Sequence, residues 1–206
     1  RREGRLSDGV QGHRDPPATL ASEPWIVYDQ QHTRRSGGPV LNQTQREAIA
    51  AELVQADIDR TILPRLTARY DGMEVEDSYA IQKIWSDRRI EAGARLVGHK
   101  IGLTSKVMQV ATGISEPDYG VIHDDMVFES GSVIEFDRFS NVRIEVELAF
   151  VLAKPLAGPN VTLFDVLDAT AYVVPALEVL NSHLELEGRT IVDTISDNAA
   201  LGAMVL

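Results

Sequence analysis

The sequence predicts an α+β fold, with helices in the first half of its patterned region and strands in the second. Three observations predict it. Apolar residues recur at helical intervals between Asn42 and Ala92, Val142 to Leu152 alternates with a strict period of two, and Ala171 to Leu180 is an almost unbroken apolar run of strand length. Within 206 residues, 44% of them hydrophobic, there is material for one core and an appendage.

Residues 1–41 are expected to be a disordered extension. Up to residue 40 they hold four of the nine prolines, five of the fifteen glycines and six arginines, with almost no apolar periodicity. No continuous apolar h-region marks a secretory signal, and Glu3, Asp8, Asp15, Glu23 and Asp29 do not suit a transit peptide. Residues 42–94 form the helical N-terminal part. Thr44 precedes Glu47 by three, a capping-box spacing, and Ile49, Leu53, Ala56 and Ile62 follow at helical intervals until Pro64. A second helix fits Glu76 to about Ala92, with Ala80, Ile81, Ile84 and Trp85 as its buried stripe and Gly93 as its stop.

Residues 95–206 read as a strand-rich domain. Arg95 to Gly102 is a short strand, and turns dominate from there to Arg138. The Val142–Leu152 alternation predicts a half-buried strand. Thr162 and Asp165 cap a short helix, and the Ala171–Leu180 strand follows. The chain closes on Gly202-Ala203-Met204-Val205-Leu206, apolar and without a turn signal, which predicts a strand cut short and an incomplete domain.

The overall charge is −11, from 20 basic and 31 acidic side chains, and argues against a nucleic-acid or anionic-membrane partner. No segment has the ~20 consecutive apolar residues of a membrane-spanning helix. The absence of cysteine removes disulfides, thiolate metal sites and cysteine nucleophiles. Phosphate-loop, dinucleotide, nucleophile-elbow and zinc-protease signatures are absent too.

Glu145 and Glu147, two apart on the predicted strand, project from one face. They are either its wet side or a converging pair of ligands. Glu178 interrupts an apolar run, where an unpaired carboxylate carries a large desolvation cost. It is either salt-bridged, with Arg143 as the nearest candidate, or it joins the other two around a hard cation, for which Mg²⁺ or Mn²⁺ fits better than Zn²⁺. Lys100, between Gly98 and Gly102, is either a surface lysine or a cation that a ligand can approach closely. His99 faces away from Lys100 and is the weaker candidate. Asp193 to Asn198 concentrates hydroxyls, acids and an amide, as a turn or as a pocket wall.

Five ordered stretches resemble a known family: Gly98 to Lys106, Glu116 to Gly120, Arg143 to Phe150, Pro175 to Glu178 and Asp193 to Ala199. They are similar to the 2-oxo-hept-4-ene-1,7-dioate hydratases, grouped with 2-hydroxypenta-2,4-dienoate hydratases and 4-oxalocrotonate decarboxylases in the fumarylacetoacetate hydrolase superfamily. The resemblance runs from about Asn42 to Leu206 and implies a mixed β-roll that continues beyond this C-terminus. It also implies a divalent metal, Mg²⁺ or Mn²⁺, on Glu145, Glu147 and Glu178, with Lys100 as the catalytic residue at the 2-oxo acid end. Ser196 and Asp118 would contact substrate. The implied activity is metal-dependent addition of water to a 2-hydroxy-2,4-dienoate or 2-oxo-enoate, in the meta-cleavage catabolism of aromatic compounds. A cytoplasmic homo-oligomer is implied as well. A decarboxylase using the same site, and an inactive truncated piece of such an enzyme, are the alternatives.

Overall fold

The structure, a computed structural model, describes residues 40–206 except 113 and 116. The predicted extension therefore lies outside the described residues apart from Val40 and Leu41. Both of these are anchored: their backbone N–H groups donate to the two oxygens of Asp77, which also accepts from Arg46 at 2.8 Å, and Leu41 is buried.

Three helices open the fold. Helix α1 (Gln43–Asp59) is capped by Asn42 and Gln45, each side chain bonding the other's backbone N–H at 2.9 Å. The true cap is thus two residues before the predicted Thr44, and Asn is as good a cap as Thr. The helix ends at Arg60 in the left-handed region, φ 55°, before Pro64 is reached. Next come α2 (Leu66–Arg69) and α3 (Val75–Glu91). Ile49, Leu53, Leu66 and Ile81 pack the core that these helices share with Leu184.

The inner face of α3 is more polar than the apolar-stripe reading implied. Asp77, Ser78, Gln82 and Ser86 are buried with Ile81 because the helix is joined to its neighbours by hydrogen bonds. Gln82 donates to the carbonyls of Tyr119 and Ile195, and Ser86 pairs with His123 at 2.9 Å.

Strand β1 (Leu96–Gly102) runs antiparallel to β2 (Asp118–His123) in a two-stranded sheet. The turn-rich stretch predicted up to Arg138 contains that second strand and a helix, α4 (Lys106–Thr112). A four-stranded mixed sheet has the order β3-β6-β5-β4, from β3 (Val127–Phe128), β4 (Val142–Leu152), β5 (Thr170–Asn181) and β6 (Leu201–Val205). Only the β3–β6 pairing in it is parallel. Thr162 and Asp165 cap α5 (Leu163–Ala169) as predicted. Helix α6 (Ile191–Ser196) follows β5.

Strand β4 matches the predicted limits, but it is not half-buried. It lies at the sheet edge, and Ile144, Val146, Leu148 and Phe150 are exposed, Val146 by 82%. A period of two sorts residues between faces without saying whether anything covers either one.

Candidate active site

Register brings the acidic residues together. In the β4–β5 ladder Glu145 stands directly opposite Glu178, and Glu147, two residues on, is opposite Ala176 on the same face. Directly paired residues have β-carbons about 5 Å apart. One carboxylate oxygen from each of the three glutamates lies within 4.8 Å of the others. Burial raises the pKa of Glu178; Lys100 opposes this, while repulsion from Glu145 and Glu147 adds to it. Three converging, mutually repelling carboxylates with no thiolate nearby are the donor set of a hard divalent cation, so the site fits such an ion.

Lys100 supplies part of the missing positive charge. Its Nζ donates to Glu178 Oε1 at 2.7 Å and to the Ala199 carbonyl at 2.9 Å. This resolves the pairing of Glu178: its partner is Lys100, not Arg143. An ammonium has three N–H groups, so one remains for a ligand. The Ala199 carbonyl was not foreseeable, because a backbone acceptor leaves no mark in a side-chain pattern. It is presented by a turn in which Asn198, Ala199 and Ala200 are all left-handed, with φ of 48°, 53° and 59°. Such backbone persists only where its surroundings over-determine it. Here the Asn198 amide does so: it accepts from the Val121 N–H at 2.8 Å and donates to the Val121 carbonyl at 2.9 Å. Gly120 beside it must be glycine, since a β-carbon there would lie 2.6 Å from the Asn198 carbonyl oxygen.

Asp118 begins β2 opposite Gly102, and its Oδ1 fills the space of the missing β-carbon, 2.0 Å from where that atom would stand. Its buried Oδ2 has no hydrogen-bond partner among the described residues. Burial raises the Asp118 pKa, opposed chiefly by Lys100. His99 turns away from Lys100 and sets its ring edge-on to Tyr119, with centroids 5.9 Å apart. Burial lowers its pKa.

The Asp193–Asn198 stretch is helix α6 and the turn after it, and much of its polarity is engaged in holding the scaffold. Asp193 accepts from the backbone and hydroxyl of both Thr67 and Thr190. Ser196 is buried and its hydroxyl donates to the Val192 carbonyl at 2.9 Å. Asp197 accepts from His183 Nδ1 at 2.8 Å, and the opposite ring nitrogen of His183 lies 3.1 Å from Asp57. Burial opposes charge on His183, but the two carboxylates prevail and lift its pKa to about 10. Asp57 lies more than a hundred residues away in sequence, so spacing alone gave no sign of this cluster.

No protein-family model matches the chain. The chain is 51% identical over 164 residues to a 2-oxo-hept-4-ene-1,7-dioate hydratase of Escherichia coli, a match covering 77% of this chain and 61% of that protein. It is 40% identical over 167 residues to a 2-hydroxypent-2,4-dienoate hydratase of Pseudomonas putida, covering 81% and 75%. Among solved structures it is similar to the 4-oxalocrotonate decarboxylase of Pseudomonas putida G7 complexed with magnesium and adipate. There the TM-score is 0.78 at 28% identity, over 82% of this chain and 64% of that one. The chain thus spans about 61% of the length of the E. coli hydratase.

Proposed function

The chain belongs to the 2-hydroxypent-2,4-dienoate hydratase family, and from that premise we propose that it serves to add water to a 2-hydroxy-2,4-dienoate or its 2-oxo-enoate tautomer. The observation that carries this reading is the convergence of Glu145, Glu147 and Glu178 beside Lys100. The product is a 4-hydroxy-2-oxo acid, within meta-cleavage catabolism of aromatic compounds. The mixed sheet is read as part of the β-roll of the fumarylacetoacetate hydrolase superfamily, in a cytoplasmic homo-oligomer.

Glu145, Glu147 and Glu178 would hold Mg²⁺ or Mn²⁺, which when bound supplies Lewis-acid stabilisation of negative charge on the substrate's 2-oxygen. Lys100 directs its remaining N–H toward the same oxygen and fixes its orientation through Glu178 and the Ala199 carbonyl. In the conjugated 2-oxo-3-enoate, C4 is electrophilic: the water oxygen bonds to C4, one water proton leaves to a base, and a proton enters at C3. Asp118 Oδ2 is our candidate for moving these protons: it is buried without a hydrogen-bond partner among the described residues, and burial raises its pKa.

The likeness to the solved decarboxylase favours a second reading in the same site, in which C–C cleavage releases CO₂ from a second carboxylate. One experiment separates the two. The purified chain with Mg²⁺ is given 2-hydroxypenta-2,4-dienoate, 2-oxohept-4-ene-1,7-dioate and, separately, 4-oxalocrotonate, and products are identified by NMR. A 4-hydroxy-2-oxo acid from either of the first two supports hydration, and CO₂ from the third supports decarboxylation. A folded chain inert toward all three overturns the catalytic reading.

A further inference from the structure

The left-handed turn that presents the Ala199 carbonyl has two flanks. On one, Asn198 holds it to β2; Ala199 and Ala200 are buried and bring no polar side chain of their own. On the other stands Asp197, whose N–H donates to the Asp193 carbonyl at 3.2 Å and whose carbonyl accepts from the Ala200 N–H at 2.8 Å. Left-handed backbone is normally visited by single residues, so a run of three without glycine needs support from both flanks.

Asp197 is gripped by the segment that follows β5. Its carboxylate, 3% exposed, accepts from the His183 backbone N–H at 2.7 Å, the Ser182 hydroxyl at 3.1 Å and His183 Nδ1 at 2.8 Å. His183 is fixed in turn from outside the site: its carbonyl accepts from the Leu63 N–H at 2.8 Å, on the chain between α1 and α2. Its Nε2 meets both an acceptor and a donor, Asp57 Oδ1 at 3.1 Å and Asn181 Nδ2 at 2.9 Å. The Asn181 oxygen is taken by the Ser140 and Asn141 N–H groups, which turns its NH₂ to the ring. The Nδ1 side is simpler. It donates to Asp197 whether the ring is neutral or charged.

A continuous set of contacts therefore runs from Leu63 through His183, Asp197 and the turn to Lys100 Nζ. We propose that His183 is a positioning residue for Lys100: through Nδ1 and Asp197 it holds the turn that aims the Ala199 carbonyl at the lysine. The inference rests on the hydratase reading and extends it to a residue that touches neither substrate nor metal. Where Glu178 shares its charge with a cation, the neutral carbonyl is the acceptor that keeps Lys100 directed at the substrate's 2-oxygen.

Asparagine and glutamine at position 183 separate the two ring nitrogens, because the amide nitrogen of the shorter side chain falls near Nδ1 and that of the longer near Nε2. The Lys100 side-chain NMR signal is followed in isotope-labelled protein, assigned by its loss in Lys100→Met, and binding of 2-oxobutyrate in Mg²⁺ is measured by calorimetry. His183→Gln should displace the Lys100 signal and weaken 2-oxobutyrate at least about tenfold, the level of one hydrogen bond to a charged group. Its Mg²⁺ affinity should stay within about twofold, since His183 shares no partner with the three glutamates. His183→Asn, which keeps a donor for Asp197, should retain both the signal and the affinity. Where His183→Gln folds poorly, adding Ala199→Gly relieves the turn, because glycine adopts φ 53° freely, and part of the probe affinity should return. An unmoved signal in His183→Gln, equal losses in the Gln and Asn variants, or no recovery in the folded double variant overturns this inference alone. Failure of the unaltered, folded chain to bind 2-oxobutyrate overturns the hydratase reading and this inference with it.

Discussion

Lys100 on β1 and Glu178 on β5 tie the two sheets together through one ion pair, Nζ to Oε1 at 2.7 Å, with only 13% and 7% of the two side chains exposed. Removing one partner of a buried pair strands the other. Lys100→Met should therefore cost the metal-free protein about 3–5 kcal/mol of stability. Added Mg²⁺ should recover part of this, because Glu178 would find another cation, while turnover stays lost. Thermal melting with and without Mg²⁺ checks both points. An unchanged metal-free transition would show that the pair contributes little.

The exposed glutamates should behave oppositely. Glu145 and Glu147 repel Glu178 and raise its pKa. Glu145→Gln or Glu147→Gln should leave the metal-free melting point level or slightly higher, within about 0.5 kcal/mol. Either change should weaken Mg²⁺ binding at least about tenfold in calorimetry. Undiminished binding in both variants would remove the cluster as a metal site.

Acid should stabilise the metal-free site and weaken its cation binding. Asp118 and Glu178 both have folded pKa values raised above their ordinary ones, Asp118 by burial and Glu178 by burial together with like charge. A raised carboxyl costs stability above its folded pKa, and the cost disappears as pH falls below the ordinary value. Protons also compete with the metal. The rise in melting temperature given by Mg²⁺ should therefore shrink between about pH 7 and pH 5, which a melting series across that range measures.

His183 governs the alkaline side. Its pKa is lifted from 6.5 to about 10 between Asp197 and Asp57. The resulting stability is present in full below pH 6.5 and is lost as pH rises toward 10. His183→Gln should cost about 3 kcal/mol near neutrality and flatten the alkaline fall in melting temperature. An alkaline limb identical in the variant would mean that His183 is not charged in the folded protein.

Gly102→Ala tests the fit around Asp118. The new β-carbon would overlap Asp118 Oδ1, so the carboxyl must move. About 1–3 kcal/mol of stability should be lost. Turnover should fall by at least the roughly hundredfold expected of Asp118→Asn, as steady-state kinetics on the two variants would show.

Local patterns marked much of this molecule. The period of two fixed β4 to the residue, Thr162 and Asp165 fixed the start of α5, and the glutamate pair followed from strand geometry alone. What escaped depends on contacts distant in sequence. Strand β2 is interrupted by Gly120, which is there to clear the Asn198 carbonyl, and its turn-like composition hid it. The polar face of α3 makes sense only against the Tyr119 and Ile195 carbonyls. The His183 cluster forms only when Asp57 at the end of α1 and Asp197 after α6 meet the segment that follows β5. Ser196 carried a motif signal, yet its hydroxyl serves the helix it lies on.

The exact opposition of Glu145 and Glu178 has a consequence for how molecules are counted. If β4 slid by a single position against β5, Ile144 or Val146 would face Glu178, and the other glutamates would turn to the far side of the sheet. A misthreaded chain could keep its strand content and still offer no triad. The number of cation sites titrated per molecule is therefore a census of correctly threaded chains, and added divalent ion during refolding should favour that threading over its neighbours.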